Sequence, residues 1–299
     1  MEGSTPRNIF DERAATSYGL CAVLLWSTVA TGFKLGLAQL SELQLLLVGT
    51  CFSWLVFLVA FLCTRRPWSE IWSVSAVELR FAFLLGLLNP ILYYWILFAA
   101  YDRLPAHIAQ PLNYTWAITL AILAVPILKQ RLTAKTIGGI LLSYAGVILL
   151  LNPWSAHHAG LDTSGIVLAL VSTIVWALYW LLNTRVNSEP VKMMLLSFSF
   201  ALPLMAGLCW LYSDWPQLNS HTIYYGAWVG LVEMGVTFLL WQQALRRTRQ
   251  AGRIAQLIFL SPFLSMILIF FVLGETIPWH APAGLTVIVA GLLVARLKS

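Results

Sequence analysis

Charge is what this chain has least of. Of its 299 residues only 10% are Asp, Glu, Lys or Arg, while 60% are apolar or aromatic and the mean hydropathy is +0.80. A water-soluble domain carries about 25% charged residues, so a soluble globular reading is excluded. The four cysteines, Cys21, Cys51, Cys63 and Cys209, show no C-x-x-C spacing. They read as small packing residues, with neither a metal site nor a disulfide expected. His107, His157, His158, His221 and His280 all fall at the edges of apolar runs or between them. No pair of His, Asp or Glu stands at metal-ligand spacing inside a run, which argues against a membrane-embedded metalloenzyme. A Gly-rich phosphate loop and an ATPase motif are also missing. No cofactor, no metal and no enzymatic activity are therefore expected.

What is present is one long apolar run after another. A bilayer core about 30 Å thick needs about 20 mostly apolar residues in a helix. Cutting the chain at charges, prolines and polar clusters gives ten such segments, at roughly 18–37, 42–62, 79–101, 106–127, 136–152, 163–183, 192–212, 222–245, 252–273 and 281–297. The expected fold is an all-α integral membrane protein of ten transmembrane helices. Threading these crossings from an inside N-terminus puts every Lys and Arg except Lys34 and Arg103 on one side. Miscounting one span would scramble that division, so both termini are expected in the cytoplasm. The net charge of +6 thus reads as a topology signal, with nucleic acid excluded as a partner. The first run, with Arg7 and Arg13 diluted by Glu2, Asp11 and Glu12, reads as an uncleaved helix.

The two halves echo each other. Ile108-Ala109-Gln110 at the start of the fourth span matches Ile254-Ala255-Gln256 at the start of the ninth, and Ala100 matches Ala244. Gln130 and Glu275 follow the same two spans. The polar stretch Asn152 to Asp162 is the natural seam, dividing the chain into repeats at 1–155 and 156–299. Five helices are an odd number, so the second copy begins on the opposite side and the repeats are inverted. Inverted repeats are a common route to alternating access, which favours a solute carrier.

Glu233, in Gly230-Leu231-Val232-Glu233-Met234-Gly235, is the only carboxylate deep inside a span. An ionised carboxylate at mid-bilayer costs roughly 2.5–3.5 kcal/mol on insertion scales, so it must face the interior and either pair or hold a proton. That makes it a candidate for substrate binding and for proton coupling. The repeat alignment pairs it with Asn89, which precedes Pro90. Gln110, Asn113, Tyr114 and Trp116 form a polar and aromatic cluster suited to a ligand wall. Trp26 and Ser27 in the first span stand at related positions to Trp176 and Tyr179 in the sixth, and Gln256 mirrors Gln110. Pro90 and Pro262 are hinge candidates, because a proline within a span frees a carbonyl and bends the helix. Gly138, Gly139 and Gly146 suggest a close-packing face. Trp54, Trp68, Trp72, Trp154, Trp215 and Trp279 read as interfacial belt residues.

Leu25-Trp26-Ser27-Thr28, the Trp116 region followed by Gln130, Trp176-Ala177-Leu178-Tyr179, Ser261-Pro262 and Gly274-Glu275 together resemble the EamA type of the drug/metabolite transporter superfamily. Asn113-Tyr114-Thr115-Trp116 is also similar to the Asn-Tyr-x-Trp-Pro stretch of YddG-type aromatic amino acid exporters, with Ala117 in place of the proline. The resemblance implies a bacterial inner-membrane exporter of amino acids, aromatic ones included, or of similar small organic metabolites. Its partners would be the solute, the lipid bilayer and a coupling proton. An uncoupled permease is the alternative within the class; a membrane-embedded enzyme or an accessory subunit lies outside it.

Overall fold

The computed structural model describes residues 10–64, 73–129, 133–154, 161–186 and 188–296. Arg7, Arg65, Arg66, Trp68, Trp72, Gln130, Arg131, His157, His158 and Lys298 lie outside the described residues. Among the described residues all regular structure is helical. Nine helices among the described residues are long and apolar enough to cross a bilayer: α1 (Glu12–Leu37), α2 (Glu42–Cys63), α3 (Ala76–Arg103), α4 (Ala106–Leu128), α5 (Ala134–Leu151), α6 (Thr163–Asn183), α7 (Pro190–Tyr212), α8 (Ser220–Arg247) and α9 (Arg253–Leu273). A shorter apolar helix, α10 (His280–Arg296), completes the ten expected spans.

Local chemistry sets where these helices start and stop. Asp11 caps α1 by accepting from the N–H groups of Arg13 and Ala14, which starts the helix six residues before the apolar run expected at 18. Ser41 with Gln44 and Ser75 with Glu78 form reciprocal capping boxes at α2 and α3. Asp162 caps α6, and its carboxyl is held below the ordinary value by hydrogen bonds from the Ser164 hydroxyl and backbone. Lys129 and Asn152 close α4 and α5 in left-handed backbone, and Gly274 does the same after α9 at φ 66°.

Helix pairing respects the repeat. α1 packs on α8 as α6 packs on α3, α2 packs on α8 as α7 packs on α3, and α6 packs on α4 as α1 packs on α9; α2 with α7 and α5 with α10 are their own mates. Two contacts show why small residues are needed. Ser53 Oγ on α2 donates to the Gly230 carbonyl on α8 at 2.9 Å, and a Cβ on Gly230 would stand 2.4 Å from the Gly49 carbonyl. On α5 and α10, a Cβ on Gly139 would stand 2.4 Å from the Gly291 carbonyl, and one on Gly146 would stand 2.8 Å from that of Gly284. Gly138 does not belong to this face, since a Cβ there would meet nothing within 4 Å. Residues seven apart return to the same side of an α-helix, whereas residues eight apart are turned by about 80°.

Two further expectations are corrected. Cys21, Cys51 and Cys63 face outward and only Cys209 is buried; a thiol is apolar enough for either position. Trp54 is no belt residue: it sits midway along α2, where its indole N–H donates to Ser199 Oγ on α7 at 2.8 Å. Trp154, Trp215 and Trp279 are exposed near helix ends.

Candidate functional site

Several spans are broken where the chemistry lies. α3 is kinked within Leu87–Leu92, where Asn89 at φ −143°, ψ 115° lies outside helical geometry. α8 passes through a π-helical stretch at Trp228–Val236, around Glu233. The aligned positions of the two repeats thus both depart from regular α-helix, by different geometries. α1 is interrupted at Thr28, whose hydroxyl bonds back to the Leu25 carbonyl at 2.6 Å. α4 is interrupted at Thr115, which bonds back to Leu112 at 2.7 Å. This break occurs without a proline at 117; side-chain competition for the backbone carbonyl does the work. In α9 a 3₁₀ stretch at Leu257–Leu260 leads into Ser261 and the buried Pro262.

These irregularities surround a cavity of about 510 Å³. Of the residues expected from sequence, Trp26, Gln110, Asn113, Tyr114, Trp116, Trp176 and Glu233 line it. Asn89 and Tyr179 line a neighbouring cavity instead. Ser27 is buried with its hydroxyl on the Leu24 carbonyl, Gln256 is exposed, and neither lines either cavity. Sequence reasoning missed Tyr93 and Tyr101, although Tyr93, Leu97 and Tyr101 stand at the four-residue spacing of one helix face. It also missed Phe238 and Trp241, one and two turns beyond Glu233. The cavity is bounded by α1, α3, α4, α5, α6, α8, α9 and α10.

Trp176 is the centre of the wall. It stacks on Tyr93 at 4.4 Å between ring centroids and on Tyr179 at 5.3 Å, and meets Trp116 and Phe238 edge-on. The Tyr93 hydroxyl donates to Asn113 Oδ1 at 3.2 Å, and Asn113 Nδ2 donates to Ser172 Oγ at 3.1 Å, which fixes the Asn113 amide. Tyr94 donates to Glu233 Oε1 at 2.9 Å. The other carboxylate oxygen, Glu233 Oε2, and the Gln110 Oε1 are buried without a hydrogen-bond partner. The wall therefore combines flat apolar faces with a few convergent polar atoms, one of them on a carboxylate. Among the described residues no group of three His, Cys, Asp or Glu could hold a metal.

The cavity reaches Leu128, Thr136, Thr184, Leu245 and Ala295, at the end of the bundle where α4, α6, α8 and α10 finish. That end also carries Arg185, Arg246, Arg247 and Arg249. The opposite end is tied shut. Lys34 Nζ donates to the carbonyls of Tyr101 and Leu104 at 2.8 and 3.1 Å, and Arg103 lies 3.7 Å from Glu42. Glu275, after α9, accepts from the N–H groups of Ala106 and His107 at 2.8 and 3.2 Å and lies 2.7 Å from His107 Nδ1. An ionised carboxylate only accepts, so Nδ1 carries the proton. Burial alone would push the Glu275 carboxyl up, but the His107 ring and the two backbone amides outweigh it and hold it below the ordinary value.

A family model described as the EamA-like transporter family matches residues 14–152 and 163–297, once on each five-helix half. The chain belongs to the EamA-like transporter family. Among similar proteins, this EamA chain is 25% identical over 299 residues to the "Aromatic amino acid exporter YddG" of Ancylobacter novellus, covering 95% of this chain and 97% of that one. It is 26% identical over 290 residues to the "Probable amino-acid metabolite efflux pump" of Salmonella typhimurium, covering 92% of each. A solved crystal structure superposes with a TM-score of 0.67 at 20% identity, over 96% of this chain and 98% of the other. This establishes a multi-pass membrane transporter built from two copies of one unit.

Proposed function

We propose that this EamA protein is a secondary transporter that exports amino acids, aromatic ones among them, or similar small amphipathic metabolites across a bacterial inner membrane by alternating access. The observation that carries the reading is a 510 Å³ cavity with an aromatic wall around Trp176 and a single buried carboxylate, Glu233, bonded to Tyr94. The volume suits a small organic solute, the rings suit its apolar part and the carboxylate suits an ammonium group or a proton. The names of the two relatives point the same way.

The concentration of Lys and Arg at one end supports placing that end, and both termini, in the cytoplasm. On that orientation the cavity faces the cytoplasm while the Lys34, Arg103 and Glu275 contacts close the outer side, an arrangement suited to loading an exporter. Interruptions at Asn89-Pro90 in α3 and at Pro262 in α9 supply bending points on both repeats. Residues 1–155 and 156–299 act as two halves of one transport unit.

The test is flux in proteoliposomes with a panel of amino acids. Glu233→Gln should abolish the pH dependence of transport while leaving the protein folded, and Trp116→Ala should raise the apparent KM about tenfold. Unchanged pH dependence in the first variant would remove Glu233 from the coupling role, and counterflow by the unaltered protein without an imposed pH gradient separates a coupled carrier from facilitated diffusion. Unchanged affinity in the second would remove Trp116 from the solute wall.

A further inference from the structure

A second cavity, of about 240 Å³, lies between α3, α6, α7 and α8 on the flank of the first. Trp180, Phe238, Trp241 and Leu245 line both, so they form the partition between the two. Its floor is Asn89 and Ser197, brought together because α3 packs on α7 through Gly86 against the Ser197 carbonyl. Its mouth is at the basic end, where Ser188 and Arg246 line it. Among the described residues Arg246 makes no ion pair or hydrogen bond.

The polar atoms of this cavity are unusual. Asn89 Oδ1, Ser197 Oγ and Trp180 Nε1, from three different helices, are all buried without a hydrogen-bond partner. Leaving a polar atom buried and unpaired costs about 1–3 kcal/mol, and three around one space amount to a site built for something polar. Ser197 and Trp180 offer donors; the Asn89 carbonyl offers an acceptor. A carboxylate needs donors and an ammonium needs an acceptor, so the set matches the head group of an amino acid. Met193, Met194, Phe198 and Leu85 provide an apolar, adaptable surround.

We infer that this side cavity is a second solute site, an access site that takes the zwitterionic head of an α-amino acid from the basic end before the solute crosses the Trp180 and Phe238 partition. The inference rests on the transporter reading and adds a place on the path. Arg246 attracts the carboxylate at the mouth; Ser197, Trp180 and Asn89 hold the head group at the floor.

The experiment is equilibrium binding of L-phenylalanine and of phenethylamine, which lacks the carboxylate, to the purified full chain, together with transport of both. Ser197→Ala, which nearly keeps shape and removes a donor, should weaken phenylalanine binding about tenfold and leave phenethylamine within twofold. Arg246→Gln should raise the phenylalanine KM several-fold at low ionic strength, with the difference vanishing at high salt because an exposed charge is screened. Arg247, Arg249 and Arg253 remain to keep the topology. Phenylalanine binding unaltered in Ser197→Ala together with an unaltered KM in Arg246→Gln would mean that the cavity holds water only and would overturn the site while leaving the central cavity untouched. Equal losses for both probes would overturn the carboxylate assignment. No binding of any zwitterion to the unaltered protein would overturn both this site and the amino acid reading.

Discussion

Tyr94 on α3 and Glu233 on α8 are joined by a hydrogen bond of 2.9 Å, and the tyrosine that makes it is fully buried. The bond links the first turn after the break in α3 to the π-helical stretch of α8 that carries Glu233. Hydrogen bonds to a charged group contribute about 1.5–3 kcal/mol, and removing one partner leaves the other buried and unsatisfied. Tyr94→Phe should therefore lower the melting temperature in detergent more than Glu233→Gln does, because the glutamine oxygen can still accept from Tyr94. Equal melting of Tyr94→Phe and the unaltered protein would show that the bond carries no stability.

The α5 and α10 crossing permits a sharper comparison. A Cβ on Gly291 would stand 2.2 Å from Ser143 Oγ and 2.5 Å from the Gly139 carbonyl, whereas one on Gly138 meets open space. Overpacking costs about 1–3 kcal/mol. Gly291→Ala should sit at the upper end of that range, since backbone cannot step aside. Gly138→Ala should be neutral or slightly stabilising, as alanine favours helix. Thermal denaturation of the two variants decides it, and similar behaviour of both would refute the close-packed crossing.

Glu275 makes a prediction about pH. Its carboxyl is held below the ordinary value, so the stabilisation it contributes is complete above the unfolded carboxylate pKa of about 4.3. It is lost as pH falls through the depressed folded value. Glu275→Gln should cost about 1–2 kcal/mol at neutral pH. The melting difference between the two proteins should stay level from neutral pH down to the ordinary carboxylate range and close below it. A gap that widened on acidification would reverse the assignment.

Lys34 caps the end of α3 through two carbonyls, a favourable place for a cation because helix carbonyls point there. On the orientation proposed above, it holds the outer side closed together with Arg103 and Glu275. Lys34→Met should shift the population toward an outward-open form. In a cysteine-free background, labelling of Leu97→Cys by a membrane-impermeant maleimide added from outside should rise several-fold. Labelling that did not change would assign closure to other contacts.

Much of the fold was legible because lipid makes the physics one-dimensional. Length and apolarity locate spans, and the placement of Lys and Arg counts the crossings. Glu233 stood out for the same reason: a carboxylate between apolar turns is too costly to be incidental. The assignment of aromatic residues was less complete. Trp54 looks like a belt residue on composition, but only the fold shows Ser199 within hydrogen-bond reach. Tyr93 and Tyr94 are neighbours in sequence, yet one bonds Asn113 and the other bonds Glu233, because adjacent helical side chains point about 100° apart.

The sequence by itself determined the number of spans, the doubling of a five-helix unit and the one ionisable group that must face inward, since each follows from the cost of placing charge or unpaired backbone in hydrocarbon. Only the tertiary structure decided that Asn89 and Tyr179 belong to a cavity separate from Glu233, that Gly139 and not Gly138 meets α10, and which end is sealed. Those outcomes depend on helix rotation and local unwinding, and a few degrees of turn at Asn89 or Thr115 send a side chain to a different neighbour without altering hydropathy at all.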